Sequence, residues 1–500
     1  MFGLYPVEVV RAAENRLLSR VPDGALMQQA ARGLAVHCLR FVRDVRGRVA
    51  GTSVVILVGP GNNGGDALFA GAYLARRGMS VVALCLADTH LEVGARALKS
   101  AGGRLASVSA EADASRELLD AADLVIDGIV GIGSRGALRE PAAEVVRMAN
   151  DSPALRVATD IPSGIDADTG AVLGEAFEAD MTVTFGCYKP GLRLSPGRGF
   201  AGAIQVVDIG LESELPEATV LAIEALDVAE LVAEPTEHDH KYRRGVVAVS
   251  AGSRAFPGAA LLTVGASRYS GVGMVRFVDR ADGVADLVIS TYPDIVRDRV
   301  DPRTDAKIRA WACGPGFTEA DAATLDMVLD CDVPVVLDAG ALRCLAADER
   351  LMSRVRDRGS RGHTTVLTPH EGEFEVLASA LGSPATPEQM AGELTATVVL
   401  KGPGTTISSS DGVTFVDTAG VADLACAGSG DVLTGLTAGM LASNRDDDPT
   451  IVVAAAVWLH GLAARVARRG GRHIVATDVR DAVPEAIAAA RSGDLAGLLS

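Results

Sequence analysis

The segment from Val54 to Arg77 constrains the fold more than any other part of the chain. It begins with five apolar residues in a row, VVILV, a pattern typical of a strand that is buried on both faces. The glycine-rich sequence GPGNNGGD follows, and a helical pattern over Ala67–Arg77 comes next. A strand, a glycine loop and a helix in this order bring backbone amides to a phosphate or a ribose. The segment therefore predicts an α/β fold, and taken alone its loop fits a ligand site or a structural turn equally well.

Apolar runs that alternate with helical patterns recur along the whole chain. Residues 7–45 are predicted to be helical, with a turn at Val21–Gly24. Further strands of the first half are predicted at Val81–Leu86, Leu124–Ile129, Val157–Ile161, Thr182–Phe185 and Ile204–Ile209. In the second half strands are predicted at Val246–Ser250, Val275–Val278, Ile308–Cys313, Val333–Leu337, Thr365–Leu367, Val398–Leu400 and Thr405–Ser408. This alternation favours mostly parallel sheets with helices on both faces.

The length of the chain indicates two domains. Its 500 residues exceed what one ordinary core organises, so two domains of about 200–280 residues are expected. Between Leu211 and Glu237 the sequence becomes acidic and contains prolines, which is typical of a linker with a short ordered insert. We predict a first domain over residues 1–215 and a second domain over residues 225–500.

Composition argues against several classes of partner. The net charge of −17 disfavours nucleic acid or an anionic membrane as the main partner, and 4% aromatic residues offer few platforms for stacking bases. The seven cysteines show no C-x-x-C spacing and mostly lie in apolar runs, as expected for free thiols in a reducing compartment. The N-terminus lacks the pattern of a signal peptide, and no apolar run reaches the ~18 residues of a membrane helix. We therefore expect a cytoplasmic protein, and apolar strips at the edges favour a homo-oligomer.

Three polar clusters of the first half directly follow predicted strands. They are Asn62–Asp66, Asp127 with Gly128–Gly136, and Asp160–Asp166. Because ligands of parallel sheets collect at the carboxyl ends of the strands, the three clusters are expected to form one site. The two asparagines of the first cluster offer carbonyl oxygens, which hard cations such as potassium or sodium favour as ligands.

Four polar features of the second half follow strands or open helices: Gly314–Gly316, Thr368–Phe374, Lys401–Thr405 and Ala425–Asp431. An ammonium group at the end of a buried strand is costly without an anion, so Lys401 predicts a phosphate neighbour. Small residues that lead into a helix offer amides to an anion, and Asp431 beside them could accept a proton. The arrangement is kinase-like, although a capped glycine turn explains the last feature as well when it stands alone.

The one dense basic patch is HDHKYRRG, over His238–Gly245, directly before a predicted strand. Two histidines two residues apart suggest a metal, but no further cluster of Cys or His supports one. The patch is interpreted as a basic lip that contacts phosphates or a partner subunit, or else as a solvated turn.

The motifs GNNGGD, VIDGIVGIGSRG, DIPSGIDADTG and TFGCYKPGL occur in this order and cover nearly all of residues 1–210. They resemble the NAD(P)H-hydrate epimerase family, which implies a Rossmann-like, doubly wound domain that interconverts the two epimers of hydrated NADH or NADPH. The resemblance implies that Asn63, Asp127 and Ser163 bind a potassium ion, and that Asp160 contacts the substrate and is the acid/base. It implies that the substrate is lined by Asn62, Asn63, Gly64, Gly65, Asp66, Gly131, Ile132, Gly133, Ser134, Arg135, Gly136 and Ala137. Ala67 departs from the pattern, which suggests another glycine there.

The motifs HKYRRG, GPG, VLDAGAL, TPHEGEF, LKGPGT, AGSGDVLTG and HGLAA occur in order over residues 238–466. They resemble the ADP/ATP-dependent NAD(P)H-hydrate dehydratase family, which implies a ribokinase-like α/β domain that uses ADP or ATP with Mg²⁺. The implied substrate contacts are Ala259, Gly316, His370 and Asp431, and the implied nucleotide contacts are Lys401, Gly402, Pro403, Gly404, Thr405 and Gly430. Two residues depart from the pattern: Gly340 replaces an expected second acid, and Cys426 replaces a threonine of similar size.

Together the two resemblances imply a bifunctional repair enzyme for hydrated NADH and NADPH. Asp431 would take the proton of the substrate hydroxyl as that oxygen attacks the nucleotide, and elimination of phosphate would regenerate the dinucleotide. The alternative is a second domain that is a true small-molecule kinase for a hydroxymethyl group, joined to a first domain that only binds a ligand. The choice between ADP and ATP stays open, with bacterial relatives favouring ADP, as does the choice between NADH and NADPH hydrates.

Overall fold

The computed structural model describes residues 1–87, 92–108, 112–133, 136–232, 234–279, 283–298, 307–318, 321–382, 386–495 and 498. The chain divides into two compact units, Gly3–Ala218 and Met1–Phe2 with Thr219–Ser500. Each unit contains a sheet whose strands pair mainly in parallel, with helices in the connections. This arrangement confirms the predicted α/β fold class.

The chain opens with the short strand β1 (Phe2–Leu4), and the first unit begins within it, at Gly3. Its elements are α1 (Val7–Leu18), α2 (Ala25–Arg46), β2 (Ser53–Val58), α3 (Asn62–Arg76), β3 (Ser80–Cys85), α4 (Glu92–Ser100), β4 (Arg104–Ser107), α5 (Ala112–Asp120), β5 (Leu124–Gly128), α6 (Ala142–Asp151), β6 (Leu155–Thr159), β7 (Met181–Phe185), α7 (Arg198–Ala201) and β8 (Ala203–Val207). Its seven strands run in the order β4-β3-β2-β5-β6-β7-β8, and all neighbours are parallel.

The run VVILV folds as predicted because both faces of β2 are covered. Val54, Ile56 and Val58 pack into one hydrophobic core, while Val55 and Leu57 pack into another on the opposite face. Successive side chains of a strand point to opposite faces, so a strand between two layers needs apolar residues at every position. The strand order also reverses between β2 and β5, and the crevice at such a reversal is where α/β sheets bind ligands.

The second unit begins at β9 (Val220–Ala222). Its elements are α8 (Ala225–Leu231), β10 (Val246–Ser250), α9 (Pro257–Tyr269), β11 (Met274–Val278), α10 (Val284–Thr291), β12 (Val296–Asp298), β13 (Ala310–Cys313), α11 (Ala322–Val328), β14 (Val335–Leu337), α12 (Gly340–Ala347), α13 (Glu349–Ser360), β15 (Thr365–Leu367), α14 (Glu371–Ala380), α15 (Pro387–Leu394), β16 (Thr397–Leu400), β17 (Thr406–Ser408), β18 (Thr414–Val416), α16 (Ser429–Ser443), α17 (Pro449–Ala467) and α18 (Ala476–Ser492).

The strands of the second unit follow the order β9-β18-β17-β16-β15-β14-β13-β10-β11-β12. Strands β10 to β16 are parallel, whereas β17 pairs antiparallel with β16 and β18. The order reverses between β10 and β13, so the loops after β10, β13, β14, β15 and β16 share one edge. Helix α17 is long and apolar enough to cross a membrane. However, 83% of its most apolar 18-residue stretch is buried inside the protein, as in a core helix.

Five strands were not predicted: β1, β4, β9, β12 and β18. β4 (RLAS) and β12 (VRD) are polar and lie at sheet edges, where one neighbour suffices and continuous apolar runs are not required. All seven cysteines are free thiols and six of them are buried, as predicted.

Candidate active sites

Asp127 and Ser163 form a buried polar pair where β5 ends. Asp127 is 0% exposed, and its Oδ2 accepts a hydrogen bond from the backbone N–H of Ser163 at 2.7 Å. Its Oδ1 accepts the Ser163 hydroxyl at 2.7 Å and the N–H of Ile129 at 3.0 Å. Burial raises the pKa of Asp127 to about 6, and these hydrogen bonds limit the rise. A carboxyl group in this state would be held ionised by a nearby cation.

Asn63 and Gly131 connect this pair to Asp160. The Asn63 side chain donates to the carbonyl of Val130 at 3.0 Å, and the N–H of Val130 donates to Ser163 Oγ at 3.1 Å. A Cβ atom on Gly131 would lie 3.2 Å from Asn63 Oδ1 and 3.3 Å from Asp160 Oδ2. The structure therefore brings residues from all three predicted clusters to one edge of the sheet.

Asp160 is held by a lysine that was not among the predicted site residues. Lys189 is 1% exposed, and its Nζ donates to Asp160 Oδ1 at 2.7 Å. The Thr184 hydroxyl and the N–H of Phe185 donate to the same oxygen at 3.0 and 3.4 Å. Asp160 also adopts φ +66°, a left-handed conformation that non-glycine residues rarely adopt and that clusters at functional sites. The motif TFGCYKPGL contains Lys189, and a lysine just after a buried strand was the available signal.

Two further acids lie within the electrostatic reach of Asp160. Asp66 is 9% exposed, and its Oδ1 is buried without a hydrogen-bond partner among the described residues. Burial, together with the charges of Asp160 and Glu14, raises the pKa of Asp66 well above its usual value. Burial and the charge of Asp160 likewise raise the pKa of Glu14, an α1 residue that sequence reasoning missed because nothing marked its helix as part of the site.

The glycines of the first loop permit close contact between backbone segments. A Cβ on Gly59 would lie 1.8 Å from the carbonyl oxygen of Ile129, and one on Gly64 would lie 2.3 Å from the carbonyl oxygen of Gly59. Asn62 begins α3, and Gly65 is buried in its first turn. These glycines therefore let α3 begin directly against the loop after β5.

The segment 131–137 is only partly described. The guanidinium of Arg11 donates to the carbonyl of Ile132 at 3.4 Å, and a Cβ on Gly133 would lie 3.2 Å from the same guanidinium. Gly136 and Ala137 are exposed, and Ser134 and Arg135 lie outside the described residues.

In the second unit a buried carboxylate connects three elements, because Asp338 after β14 contacts Lys401 after β16 and Thr434 on α16. Asp338 follows β14 and is 1% exposed. Lys401 Nζ donates to its Oδ1 at 2.6 Å, and the Thr434 hydroxyl lies 2.8 Å from its Oδ2 and 3.0 Å from the carbonyl oxygen of Gly430. Burial works against ionisation, but the charge and hydrogen bond of Lys401 hold the pKa of Asp338 below its usual value. Sequence reasoning assigned no role to Asp338 or Thr434, although an acid directly after a buried strand was a usable signal.

Asp431 lies in the first turn of α16, beside this network. Burial raises its pKa to about 7, the negative charge of Asp338 adds to the rise, and Lys401 opposes it. A Cβ on Gly430 would lie 3.1 Å from Lys401 Nζ. Gly428 caps the helix with φ +89°, and a Cβ there would lie 2.4 Å from Leu262. A helix N-terminus, an ammonium group and a partly protonated carboxyl group therefore meet at one place.

His370 lies next to Lys401, because the two residues form a parallel bridge just beyond the ends of β15 and β16. The N–H of Lys401 donates to the carbonyl of Pro369 at 2.8 Å. His370 caps α14, where its Nδ1 accepts the N–H of Glu373 at 3.3 Å, and its side chain is 61% exposed. The residue therefore has both the structural role of a cap and a ring that is open to a ligand.

Gly316 and Ala259 also come together as predicted residues of one site. Gly316 has φ +70°, and a Cβ there would lie 3.0 Å from Ala259 Cβ. The same loop packs against Asp338, because a Cβ on Gly314 would lie 2.0 Å from the carbonyl oxygen of that residue. The loop after β13 thus reaches both the start of α9 and the end of β14.

The segment Lys401–Thr405 forms a tight turn. The N–H of Gly402 donates to Thr405 Oγ1 at 3.3 Å, and the Thr405 hydroxyl donates to the carbonyl of Gly402 at 3.1 Å. Gly402 and Pro403 are exposed, and Gly404 is half-buried. The turn leaves its outer backbone accessible to a ligand.

Gly340 has no room for the acid expected from the resemblance. A Cβ at this position would lie 2.4 Å from the carbonyl oxygen of Phe317 and 2.5 Å from its Cβ. The backbone of the loop after β13 therefore occupies the space that a side chain would need, and Asp338 is the carboxylate that β14 brings to the site.

His460 on α17 lies behind the loop at Gly428–Gly430. It is 6% exposed, and its Nε2 has no hydrogen-bond partner among the described residues. Burial lowers its pKa to about 4, with a hydrogen bond to the Ser429 backbone opposing the change. Its motif, HGLAA, entered the family resemblance, but the apolar sequence around it gave no sign of a contact with the loop.

Comparison with known proteins agrees with the two-part organisation. A family model described as YjeF-related protein N-terminus matches residues 23–191, and one described as NAD(P)H-hydrate dehydratase matches residues 247–485. The bifunctional NAD(P)H-hydrate repair enzyme Nnr of Mycobacterium tuberculosis is 42% identical over 449 residues, covering 88% of this chain and 89% of its own. The enzyme of the same name from Moorella thermoacetica is 34% identical, with 95% and 96% of the two chains covered.

Among solved structures, the ADP/ATP-dependent NAD(P)H-hydrate dehydratase of Bacillus subtilis, co-crystallised with ATP and Mg²⁺, is 30% identical. The match covers 53% of this chain and 97% of that chain, with a TM-score of 0.44. The identities to the two repair enzymes extend through both units. This chain therefore belongs to the family of bifunctional NAD(P)H-hydrate repair enzymes.

Proposed function

We propose that the first unit epimerises the R and S forms of hydrated NADH and NADPH, and that the second unit dehydrates the S form at the expense of ADP or ATP. The observation that carries the proposal is the convergence of Lys401, Gly430 and Asp431 around the buried carboxylate of Asp338. Family membership connects this phosphate-binding geometry with a hydrated dinucleotide.

In the dehydratase reaction, Asp431 accepts the proton of the substrate hydroxyl while that oxygen attacks the terminal phosphoryl group. A pKa of about 7 suits a base that works near neutral pH. The ammonium of Lys401 and the N-terminus of α16 stabilise the charge that develops on the phosphoryl oxygens. The phosphorylated oxygen then leaves as phosphate, assisted by the ring nitrogen, and loss of a proton from the neighbouring ring carbon restores the double bond.

Mg²⁺ would neutralise the nucleotide phosphates. Both oxygens of Asp338 already accept hydrogen bonds, from Lys401 and Thr434. The nucleotide phosphates therefore supply most of the ligands, as is usual for this ion.

In the epimerase reaction, Asp160 exchanges protons with the hydroxyl group as the ring opens and recloses on the other face. The hydrogen bonds from Lys189 and Thr184 orient its Oδ1, and Oδ2 faces the space beside Gly131. Potassium would be held by oxygens of Asn63, Asp127 and Ser163, and it would supply a fixed positive charge. These donors fit it because the three side chains offer oxygen atoms, the ligands that hard cations favour.

The experiment supplies both hydrate epimers with ADP, and separately with ATP, and follows the nicotinamide absorbance. Complete return supports both activities, return of half indicates dehydration alone, and no return contradicts the proposal. A stable phosphorylated product would instead indicate a small-molecule kinase. Cytoplasmic location and homo-oligomer formation remain part of the proposal, and are tested by fractionation and by sedimentation.

A further inference from the structure

A large cavity of the second unit lies away from the proposed nucleotide site. Its volume is about 750 Å³, and its wall includes Gly245 before β10, Arg309 before β13, and Ser443 and Asn444 at the end of α16. Asp431 is at the other end of α16, which is 15 residues or roughly 22 Å long. The cavity is therefore at the opposite edge of the sheet from the loop at Gly428–Gly430.

The basic patch seen in the sequence forms part of this cavity, together with arginines from distant segments. Five arginines and four acids line it. Three arginines are paired with acids: Arg243 with Asp239 at 3.3 Å, Arg445 with Asp446 at 3.4 Å, and Arg491 with Glu234 at 4.0 Å. Arg244 and Arg309 are half-buried, and neither has a carboxylate within 4.0 Å among the described residues. Asp239 is the nearest anionic influence on Arg244: hydrogen bonds from Thr236, and then the charges of Arg243 and Arg244, lower the pKa of Asp239.

These two arginines lie at the ends of neighbouring strands. The backbone N–H of Arg309 donates to the carbonyl of Val246 at 2.8 Å, and Arg244 is two residues before Val246. One N–H of Arg244 donates to the carbonyl of Gly271 at 3.1 Å, at the end of α9. For Arg309, no side-chain hydrogen bond is found within the described parts of the chain. Both side chains line the same cavity, so an anion bound there could be contacted by both guanidinium groups.

We propose that Arg244 and Arg309 form a binding site for a phosphate-class oxyanion, distinct from the nucleotide site. Guanidinium groups offer paired N–H donors that match a tetrahedral oxyanion better than a single ammonium does. The cavity has the volume of a small-molecule site. Its acids, and a chain net charge of −17, oppose the approach of a long polyanion. The anion is a free phosphate or the phosphate group of a nucleotide.

The test titrates the full-length protein with inorganic phosphate and separately with ADP, using calorimetry and thermal unfolding. Saturable binding of phosphate assigns the site to the free anion, and a second binding event seen only with ADP assigns it to a nucleotide-borne phosphate. We expect R309Q and R244Q each to weaken this binding at least tenfold. R309K keeps the charge but loses the paired donors, so it should weaken phosphate binding less than R309Q does. If R309K is folded, the weaker binding of R309Q can be ascribed to the lost guanidinium group and not to misfolding.

The matched control is R445Q, in the same cavity, which removes an exposed arginine that already has an acidic partner. It should bind as the parent does. Unchanged binding in both R309Q and R244Q would overturn the proposal. So would loss of every binding event in a K401M protein that circular dichroism shows to be folded, because the nucleotide site would then be the sole phosphate site. A change of oligomeric state in R309Q without phosphate would also overturn the proposal, because Arg309 would then be a subunit contact and not an anion ligand.

Discussion

Lys401 Nζ lies 2.6 Å from Asp338 Oδ1, and this ion pair joins the ends of β14 and β16 beneath the N-terminus of α16. Asp338 is 1% exposed, so each partner limits the cost of burying the other. Burial raises the pKa of Asp431, and the negative charge of the same carboxylate adds to the rise. One buried acid thus positions the lysine and contributes to the proton affinity of the proposed base.

Removal of the lysine charge should destabilise the second unit. In K401M the carboxylate of Asp338 stays buried without its cation, and we expect a loss of about 3 kcal/mol in the free energy of unfolding. Denaturant titration measures this change. R350Q, which breaks an exposed ion pair with Asp326, should cost less than about 1 kcal/mol. Equal losses in the two variants would contradict a buried ion pair.

Asp431→Asn should lower the rate of dehydration by roughly 10²–10⁴-fold, the span expected for a general base. The parent rate should fall as pH drops through about 7, because the carboxyl group then takes up a proton and cannot accept one from the substrate. Single-turnover assays from pH 5.5 to 8.5 measure both effects. A parent rate that is flat across this range would rule out Asp431 as the base.

The same substitution should increase stability at alkaline pH. The folded-state pKa of Asp431 is raised to about 7 from an ordinary 3.8, so the folded state binds this proton more tightly than the unfolded state. Its contribution to stability is therefore lost as pH rises from about 4 to 7 and stays lost above pH 7. Asp431→Asn should match the parent near pH 4 and have a higher Tm at pH 8. A lower Tm at pH 8 would disprove the assignment.

Asp160→Ala should abolish enzymatic interconversion of the epimers and leave dehydration of the S form intact. An equal mixture of the two epimers would then return half of its nicotinamide absorbance rapidly, because the R form is no longer converted. Lys189→Met should act in the same direction by removing the ammonium group that orients Asp160. Asp431→Asn is the complementary control, since it should stop dehydration and spare epimerisation. Full, rapid return in Asp160→Ala would make the first unit a binding module.

Replacing potassium by choline in the buffer should slow epimerisation and leave dehydration unchanged. The reason is that Asn63, Asp127 and Ser163 belong to the first unit. Burial, opposed by hydrogen bonds from Ser163 and Ile129, raises the pKa of Asp127 to about 6, and a bound cation would favour its ionised form. Ser163→Ala should weaken the response to added potassium chloride, with sodium chloride at equal ionic strength as the control. An epimerase rate that is independent of the cation would argue against the ion.

Gly340→Asp should lower the Tm and should not increase the rate of dehydration. The new Cβ would meet the backbone of Phe317 at 2.4 Å, and backbone cannot move away as a flexible side chain can. Gly392→Asp is a suitable control, because no atom lies within 4 Å of its added Cβ. A Gly340→Asp variant as stable as the parent would show that this contact is readily relieved.

The buried strands could be predicted from sequence because they leave a strong local pattern. VVILV is apolar at every position, and β2 is covered on both faces. The polar residues after such strands were also predictable, since parallel strands bring them to one edge. The sequence did not predict site roles for three other residues, Lys189, Glu14 and Thr434. Their roles depend on which carboxylate, distant in the sequence, each of them contacts in the fold. The Arg244–Arg309 pair is similar: each residue is ordinary in its own segment, and only strand pairing places them together.

The proposed epimerase centre draws on four separate segments, from Asn63 on α3 through Asp127 and Asp160 to Lys189 after β7. The last of these segments is synthesised near the end of the unit, so a nascent chain lacks the group that orients Asp160 until the sheet is almost finished. No partly translated or clipped fragment that ends before Lys189 can contain the complete centre. Catalytic competence in this unit should therefore arise late in synthesis, once the segment that carries Lys189 has joined the sheet.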